Sequence, residues 1–193
     1  DAMRITAFIK DKVVLITGAG GSIGSELCRQ IGGFSPARII FLGKGEASIY
    51  NIEMEMRGLF PHLEIVSLIG DIRNRTKVRQ IFRVFKPDIV FHAAAHKHVP
   101  FMERDVDEAI SVNVFGTRNL IQAAAHFHVG YFVQISTDKA VKPSSVMGCS
   151  KRLAELLVQR ISETCDSTHF FTVRFGNVLG SRGSVVPLFE KQI

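Results

Sequence analysis

Residues 13–24 read VVLITGAGGSIG, and the rest of the chain is arranged around them. Positions 13–16 are a short apolar run that ends in the polar Thr17. Glycines then recur every third residue at Gly18, Gly21 and Gly24. An apolar stripe follows at once in Ile23, Leu27 and Ile31, spaced for one face of a helix. Strand, tight turn and helix start in that order present main-chain N–H groups at the positive end of a helix dipole, where a pyrophosphate can sit. Gly18 supplies the turn's unusual backbone angles, and Gly21 removes the Cβ that would hold a phosphate off. Gly24 lets the helix pack closely on the strand. The competing reading is a turn that serves packing alone, and the agreement of strand, loop and helix argues against it.

The same alternation runs on down the chain. Residues 1–12 read as a lead-in, with Ile9 packing against the domain edge. Strands are expected at 38–42, 64–68, 89–91, 131–135 and 170–174. Helices are expected over 46–59 and through Val78, Ile81, Phe82 and Phe85 up to Pro87. A long helical pattern covers 106–127. Another helix starts near Val146 with Leu153, Leu157 and Ile161 in phase, and a last one opens at 185–191. Strands separated by helices predict an α/β fold, a doubly wound parallel sheet covered on both faces, in one nucleotide-binding domain over 1–193. Ligands of such sheets bind outside the carboxyl ends of the strands. Gly18, Gly43, Asp71, Ala93 to Ala95, Ser136 to Lys139 and Phe175 to Asn177 all fall at those ends, which predicts a single nucleotide site.

Composition narrows the class. The 193 residues suffice for one domain with a sizeable core, and 46% hydrophobic with 22% charged residues is ordinary globular usage. The net charge of +6 suits an acidic small molecule. Lys and Arg are scattered, with no basic run interleaved with aromatics, which argues against nucleic acid. Cys28, Cys149 and Cys165 lie far apart without C-x-x-C spacing, which points to a reduced compartment and to neither disulfides nor zinc. The pairs His96/His98 and His126/His128 lack converging ligands, so no metal is expected. No apolar run reaches membrane-spanning length and no signal peptide is visible. The start at Asp1 and the end at Ile193 read as the ends of a fragment.

Each strand end offers something to a dinucleotide. An acid after the second strand would hold the adenosine ribose, but Gly43-Lys44 stands there, a base that favours NADP over NAD or is simply a solvated lysine. Asp71-Ile72 offers a carboxylate for an adenine amino group and an apolar side chain for its face, unless Asp71 only caps a helix. Ala93, Ala94 and Ala95 leave clearance for a bulky cofactor, and Lys97 places a cation beside the nicotinamide or sugar. The expected cofactor-binding set is Gly18, Ala19, Gly21, Ser22, Ile23, Gly24, Gly43, Lys44, Asp71, Ile72, Ala93, Ala94, Ala95, Lys97, Asn113, Lys151 and Phe175.

The pattern T-G-x-x-G-x-x-G resembles the extended short-chain dehydrogenases/reductases. In that superfamily a tyrosine four residues before a helical lysine takes the substrate hydroxyl proton. Here Lys151 is preceded by Met147, whose thioether cannot transfer a proton, and neither Tyr50 nor Tyr131 has the spacing. Together TGAGGSIGSEL, HAAAHKHVP, STDKAVKPSSVMGCSKR and RFGNVLGSRGSVVPLF resemble the bacterial UDP-N-acetylglucosamine 4,6-dehydratases of polysaccharide biosynthesis, from about Lys12 to the end. The Met-x-x-x-Lys form resembles long members with an N-terminal membrane region ahead of a cytoplasmic domain, and the family's substrate-binding part lies beyond 193.

The resemblance implies an NAD(P)-dependent lyase acting on a UDP-sugar, as a possible homo-oligomer. It oxidises C4, eliminates water across C5 and C6, and returns hydride to C6. Asp138 would be the acid for the departing C6 hydroxyl, Lys139 the base at C5, and Thr137 a hydrogen-bond partner of the C4 oxygen. With Met147 in the tyrosine place, Asp138, or Thr137 backed by Lys151, would accept the C4 hydroxyl proton. A lysine base must be neutral, which requires burial or a nearby cation such as Lys151. The resemblance also sets Asn177 and Arg182 at the UDP phosphates, with Lys97 beside the sugar. A polar turn is the competing reading of Thr137-Asp138-Lys139. A nucleotide-sugar 4-epimerase and a non-catalytic NADP-binding sensor remain alternative functions.

Overall fold

The computed structural model describes residues 2–178. Six parallel strands form one sheet: β1 (Val13–Thr17), β2 (Arg38–Gly43), β3 (Glu64–Ile69), β4 (Ile89–His92), β5 (Tyr131–Thr137) and β6 (His169–Phe175). Their spatial order is β3-β2-β1-β4-β5-β6. The order reverses beside β1, so the crevice at the carboxyl ends of β1 and β4 is the topological switch point.

β1, β2 and β4 are rich in β-branched and aromatic residues because both faces of the sheet are covered there, whereas β6 is largely exposed, against the expectation of cover on both faces throughout. On one face Leu15, Ile40, Val90 and Phe132 pack with side chains of α4 (Arg75–Phe85), α7 (Thr117–His126) and α8 (Val146–Ser162). On the other, Val14, Ile16, Ile39 and Phe41 meet α2 (Ser22–Gly32) and α3 (Glu46–Leu59) through Cys28, Ile31, Ile49 and Met56. The alternation of Val14 and Ile16 against Leu15 is the period of two that divides β1 between the layers. Local chemistry places the helix ends: the Asn74 carboxamide accepts from Lys77 N at the start of α4, and the Ser145 hydroxyl from Gly148 N at the start of α8.

Four expectations change. The lead-in is a helix, α1 (Ala2–Ile9); Ile9 is buried against the second layer as expected, and the Phe8 ring stands edge-on to Tyr131 with centroids 4.5 Å apart. The helix α5 (Val99–Arg104) follows β4 where only a loop was read. The single long helix over 106–127 is three pieces: α6 (Val106–Ala109), a π-helical segment over Ile110–Gly116, and α7. In α8 the Leu153 side chain is exposed and Leu157 and Ile161 are only partly buried. The buried face is Met147, Ser150, Lys151, Ala154, Glu155 and Val158. With Gly148 that face has seven residues, three of them polar, so an apolar count finds only its margin, where Leu157 and Ile161 pack on the core. Among the described residues no helix is long and apolar enough to cross a membrane.

Candidate active site at the carboxyl ends of the strands

The nucleotide turn is tight because the protein's own backbone fills it. Gly18 has φ +69°, and a Cβ there would lie 2.6 Å from Ala94 N. A Cβ on Gly24 would overlap the Gly18 carbonyl, so this glycine seats α2 on the turn rather than on the strand. Gly21 differs: a Cβ there would meet only Gly18 O at 3.2 Å, and Gly21 caps α2 with no side-chain hydrogen bond. These features fit a pyrophosphate laid across the turn at the start of α2. Ser22 and Ile23 are half-buried on the first turn of α2. Ala19 is wholly buried in the core, main chain included. Gly20, which carries no role in the sequence reading, is as constrained, since a Cβ would lie 2.5 Å from Ser48 Oγ.

At the ends of β2 and β3, Lys44 is 69% exposed and its Nζ lies 3.8 Å from Asp71 Oδ2. Gly43 ends β2 against Ile49. Asp71 accepts from the Arg73 backbone N–H at 2.9 Å and from the Arg73 guanidinium at 2.7–3.1 Å. Those bonds hold its carboxyl below the usual aspartate range. The helix cap belongs to Asn74, so Asp71 is not the cap. Ile72 is 5% exposed and packs in the core.

The end of β4 is wired to its surroundings. His92 is 1% exposed, with Nδ1 2.8 Å from Thr17 Oγ1 and Nε2 2.9 Å from Thr117 Oγ1. Burial, with the nearby Lys151 charge, pushes its imidazole down to about 3. Asn113, inside the π-helical segment, accepts from His96 N at 2.8 Å. It donates to His96 O at 3.0 Å and to Ser150 Oγ at 2.9 Å. Its carboxamide is thus spent on the protein, and Asn113, 1% exposed, holds the His96 main chain. Ala93 and Ala94 are half-buried, and Ala95 and Lys97 are exposed. Lys97 lines a cleft of about 240 Å³ with His96, His98, Phe101, Met102, Asp105 and Glu108.

The chemical groups gather at β5 and β6. Thr137 pairs in register with Phe175, which is 36% exposed. The Thr137 hydroxyl donates to Asp138 Oδ1 at 2.9 Å. Lys139 Nζ donates to the same oxygen at 3.2 Å and to Asn177 Oδ1 at 3.2 Å. The bonds from Thr137 and Lys139 hold the Asp138 carboxyl below its ordinary range. Thr137, Asp138, Lys139 and Asn177 therefore form one cluster. The Lys139 side chain is 40% exposed and paired with a carboxylate, not buried as the base role requires. Arg182 lies outside the described residues. Met147 is 4% exposed and packs with Met102 and Ala109, an apolar position with no proton to move. Lys151 is 7% exposed and donates to Ile135 O at 2.7 Å; burial lowers its ammonium to about 8 against the opposing Glu155 charge.

Glu155 escaped the sequence reading. It is 5% exposed and accepts from Ser136 at 2.6 Å, from Arg174 at 2.6 and 2.8 Å, and from Arg152 at 3.0 Å. Burial pushes its carboxyl up, but these bonds prevail and hold it at about 2. Its only signal is a carboxylate four residues beyond Lys151 on the same helix face.

Residues 14–193 match the family described as polysaccharide biosynthesis protein. The capsular polysaccharide biosynthesis protein CapD of Staphylococcus aureus is 52% identical over 100% of the chain, which spans 32% of that protein's length. A UDP-N-acetylglucosamine 4,6-dehydratase (inverting) of Campylobacter jejuni is 35% identical, with 94% of this chain and 54% of that protein aligned. A UDP-glucose 4-epimerase of Rickettsia akari is 39% identical, with 95% and 54% aligned. Among solved structures, Pen from Bacillus thuringiensis superposes with a TM-score of 0.87 at 39% identity, covering 96% of this chain and 56% of that one.

Proposed function

This chain belongs to the polysaccharide biosynthesis protein family, and on that premise we propose that it is the nucleotide-binding and catalytic part of a UDP-N-acetylglucosamine 4,6-dehydratase using NADP or NAD. The observation that carries the reading is the cluster of Thr137, Asp138, Lys139 and Asn177 at the carboxyl ends of β5 and β6, on the same edge of the parallel sheet as the glycine turn. A bound nicotinamide nucleotide supplies hydride acceptance from C4 and hydride return to C6. Gly18 and Gly21 would hold its pyrophosphate at the start of α2, with Gly24 seating the helix on the turn. Lys44, exposed beside the expected ribose position, favours a 2′-phosphate.

The elimination needs an acid at the C6 oxygen and a base at C5. Asp138 and Lys139 supply both from one proton. Lys139 Nζ donates a hydrogen to Asp138 Oδ1 across 3.2 Å. Transfer of that proton to the carboxylate, once a sugar excludes water from the pair, leaves an acid on Asp138 and a free amine on Lys139. The acid then protonates the departing C6 hydroxyl and the amine takes the C5 proton. Thr137, already a donor to Asp138, would orient the C4 oxygen by accepting its hydroxyl hydrogen. The Rickettsia relative favours a second reading, a 4-epimerase, which has no use for a base at C5.

The test incubates the protein at its full natural length with UDP-N-acetylglucosamine and NADP in deuterated water, followed by mass spectrometry. The dehydratase reading expects loss of one water with one deuterium gained, and expects Lys139→Ala to abolish turnover while NADP still binds. An isomer of unchanged mass would make the protein an epimerase. Full turnover in Lys139→Ala would remove Lys139 from the reaction.

A further inference from the structure

The proton positions around His92 follow from its partners. Thr117 Oγ1 donates to Asn113 O, one helical turn back, at 2.7 Å. That bond uses the only hydrogen of the hydroxyl, so Thr117 Oγ1 faces His92 Nε2 as an acceptor, and Nε2 must carry the hydrogen. Nδ1 is then an acceptor and receives the Thr17 hydroxyl hydrogen across 2.8 Å. Thr17 Oγ1 keeps lone pairs for Ala94 N–H at 3.4 Å. The opposite tautomer would leave two lone pairs facing each other at Nε2 unless Thr117 gave up its bond to Asn113. The chain of donors therefore runs in one direction, from Thr17 through the ring to Thr117 and Asn113.

Both ends of this chain lead to the site. Thr17 immediately precedes Gly18, and its carbonyl accepts from Ala93 N at 3.1 Å, so the ring pins the nucleotide turn to the alanine loop. Asn113 holds the main chain of His96 through both its N–H and its carbonyl, and holds Ser150, the residue before Lys151. Asn113 lies in the π-helical segment, a wide turn that is most often retained at functional sites.

We propose that His92 is a positioning residue, held as the Nε2–H tautomer, that registers the nucleotide turn at one ring nitrogen and the His96 loop with the Lys151 helix at the other. The proposal rests on the nicotinamide-nucleotide site of the reading above, and it assigns the two ring nitrogens separable duties. Burial and the Lys151 charge hold its proton affinity well below the ordinary histidine range, so the ring is neutral near neutral pH and Nδ1 stays an acceptor.

An asparagine carboxamide reaches the place of Nδ1 and a glutamine carboxamide that of Nε2, so the two duties can be removed one at a time. His92→Asn keeps the Thr17 link and loses the Thr117 link. NADPH affinity by fluorescence titration should stay within about threefold, while kcat falls about 100-fold, the usual effect of an ångström of misplacement. His92→Gln should do the reverse, weakening NADPH about tenfold, a loss of about 1.4 kcal/mol, with kcat at saturation within about threefold. Thr117→Val should reproduce the first pattern and Thr17→Val the second. Nitrogen-15 NMR of the unsubstituted protein should show an acceptor-type Nδ1 and a protonated Nε2, unchanged between pH 5 and 8 (a range set by ordinary histidine titration).

If both substitutions lower affinity and kcat in the same proportion as they lower the melting temperature, His92 is only structural and the proposal fails. A ring that titrates in that range, or that carries its hydrogen on Nδ1, also overturns it, and this arm needs no variant to fold. Absence of dehydratase turnover in the unsubstituted protein would sink the reaction assigned above, while the NADPH titrations and the NMR would still decide the role of His92.

Discussion

Lys151→Met tests how much the buried ammonium costs the fold. In the folded protein burial lowers Lys151 from the ordinary 10.5 to about 8, with Glu155 only partly offsetting it. Below about pH 8 both folded and unfolded chains carry the charge, and folding bears the full desolvation penalty. Above about 10.5 both are neutral and the penalty vanishes. Between those limits the unfolded chain binds the extra proton, so stability rises with pH. At about 1.4 kcal/mol per tenfold change in proton affinity, the penalty is about 3 kcal/mol. The side chain is 7% exposed, so solvent screening removes little of it. Methionine fills a similar volume without the charge but abandons the bond to Ile135 O, which returns about 1–3 kcal/mol to the parent protein. That bond shifts the difference between parent and variant by a nearly constant amount. The pH dependence isolates the charge.

The assay is urea unfolding of both proteins from pH 7 to 11. The variant should be as stable as the parent or more so at pH 7, and should lose about 3 kcal/mol relative to it by pH 11. A difference that stays flat across this range would refute the reasoning, because it would mean that Lys151 folds without a desolvation cost.

Gly18→Ala forces an alanine to φ +69° with its Cβ 2.6 Å from Ala94 N, and should cost at least about 1–2 kcal/mol in thermal unfolding and weaken NADPH in titration. Glu155 is held at about 2 against an ordinary 4.5, so it supports the fold fully above pH 4.5 and loses that support as the pH falls toward 2. Glu155→Gln should therefore be less stable at pH 7 by about 2–3 kcal/mol and should flatten the loss of stability between pH 4.5 and 3, read by denaturant titration. Phe132→Ala, in the fully buried centre of the first core layer, should lower stability by about 3–5 kcal/mol in the same assay with little change in m-value.

The amino-acid sequence by itself determined the layout. Strand and helix periods and the three glycines are set by contacts within a few positions, so β1, the turn, α2 and α3 could be read directly, with α3 at its observed bounds. Gathering Gly18, Asp71, Ala93 and Thr137 at one edge of the sheet also followed, because parallel strands joined by helices leave all carboxyl ends on one side. Other features needed the third dimension. The inward face of α8 was misjudged because Lys151 and Glu155 are buried by partners on β5 and β6, which no helical period records. The π-helical turn was invisible because it is a change of main-chain hydrogen-bond register, which no residue type in Ile110–Gly116 announces. Asn113 looked like a ligand group until its carboxamide was found spent on His96 and Ser150. His92 meets Thr17 across 75 positions and Thr117 across 25. Whether such polar groups face a ligand or one another depends on desolvation and hydrogen-bond geometry, and those exist only once distant segments have packed.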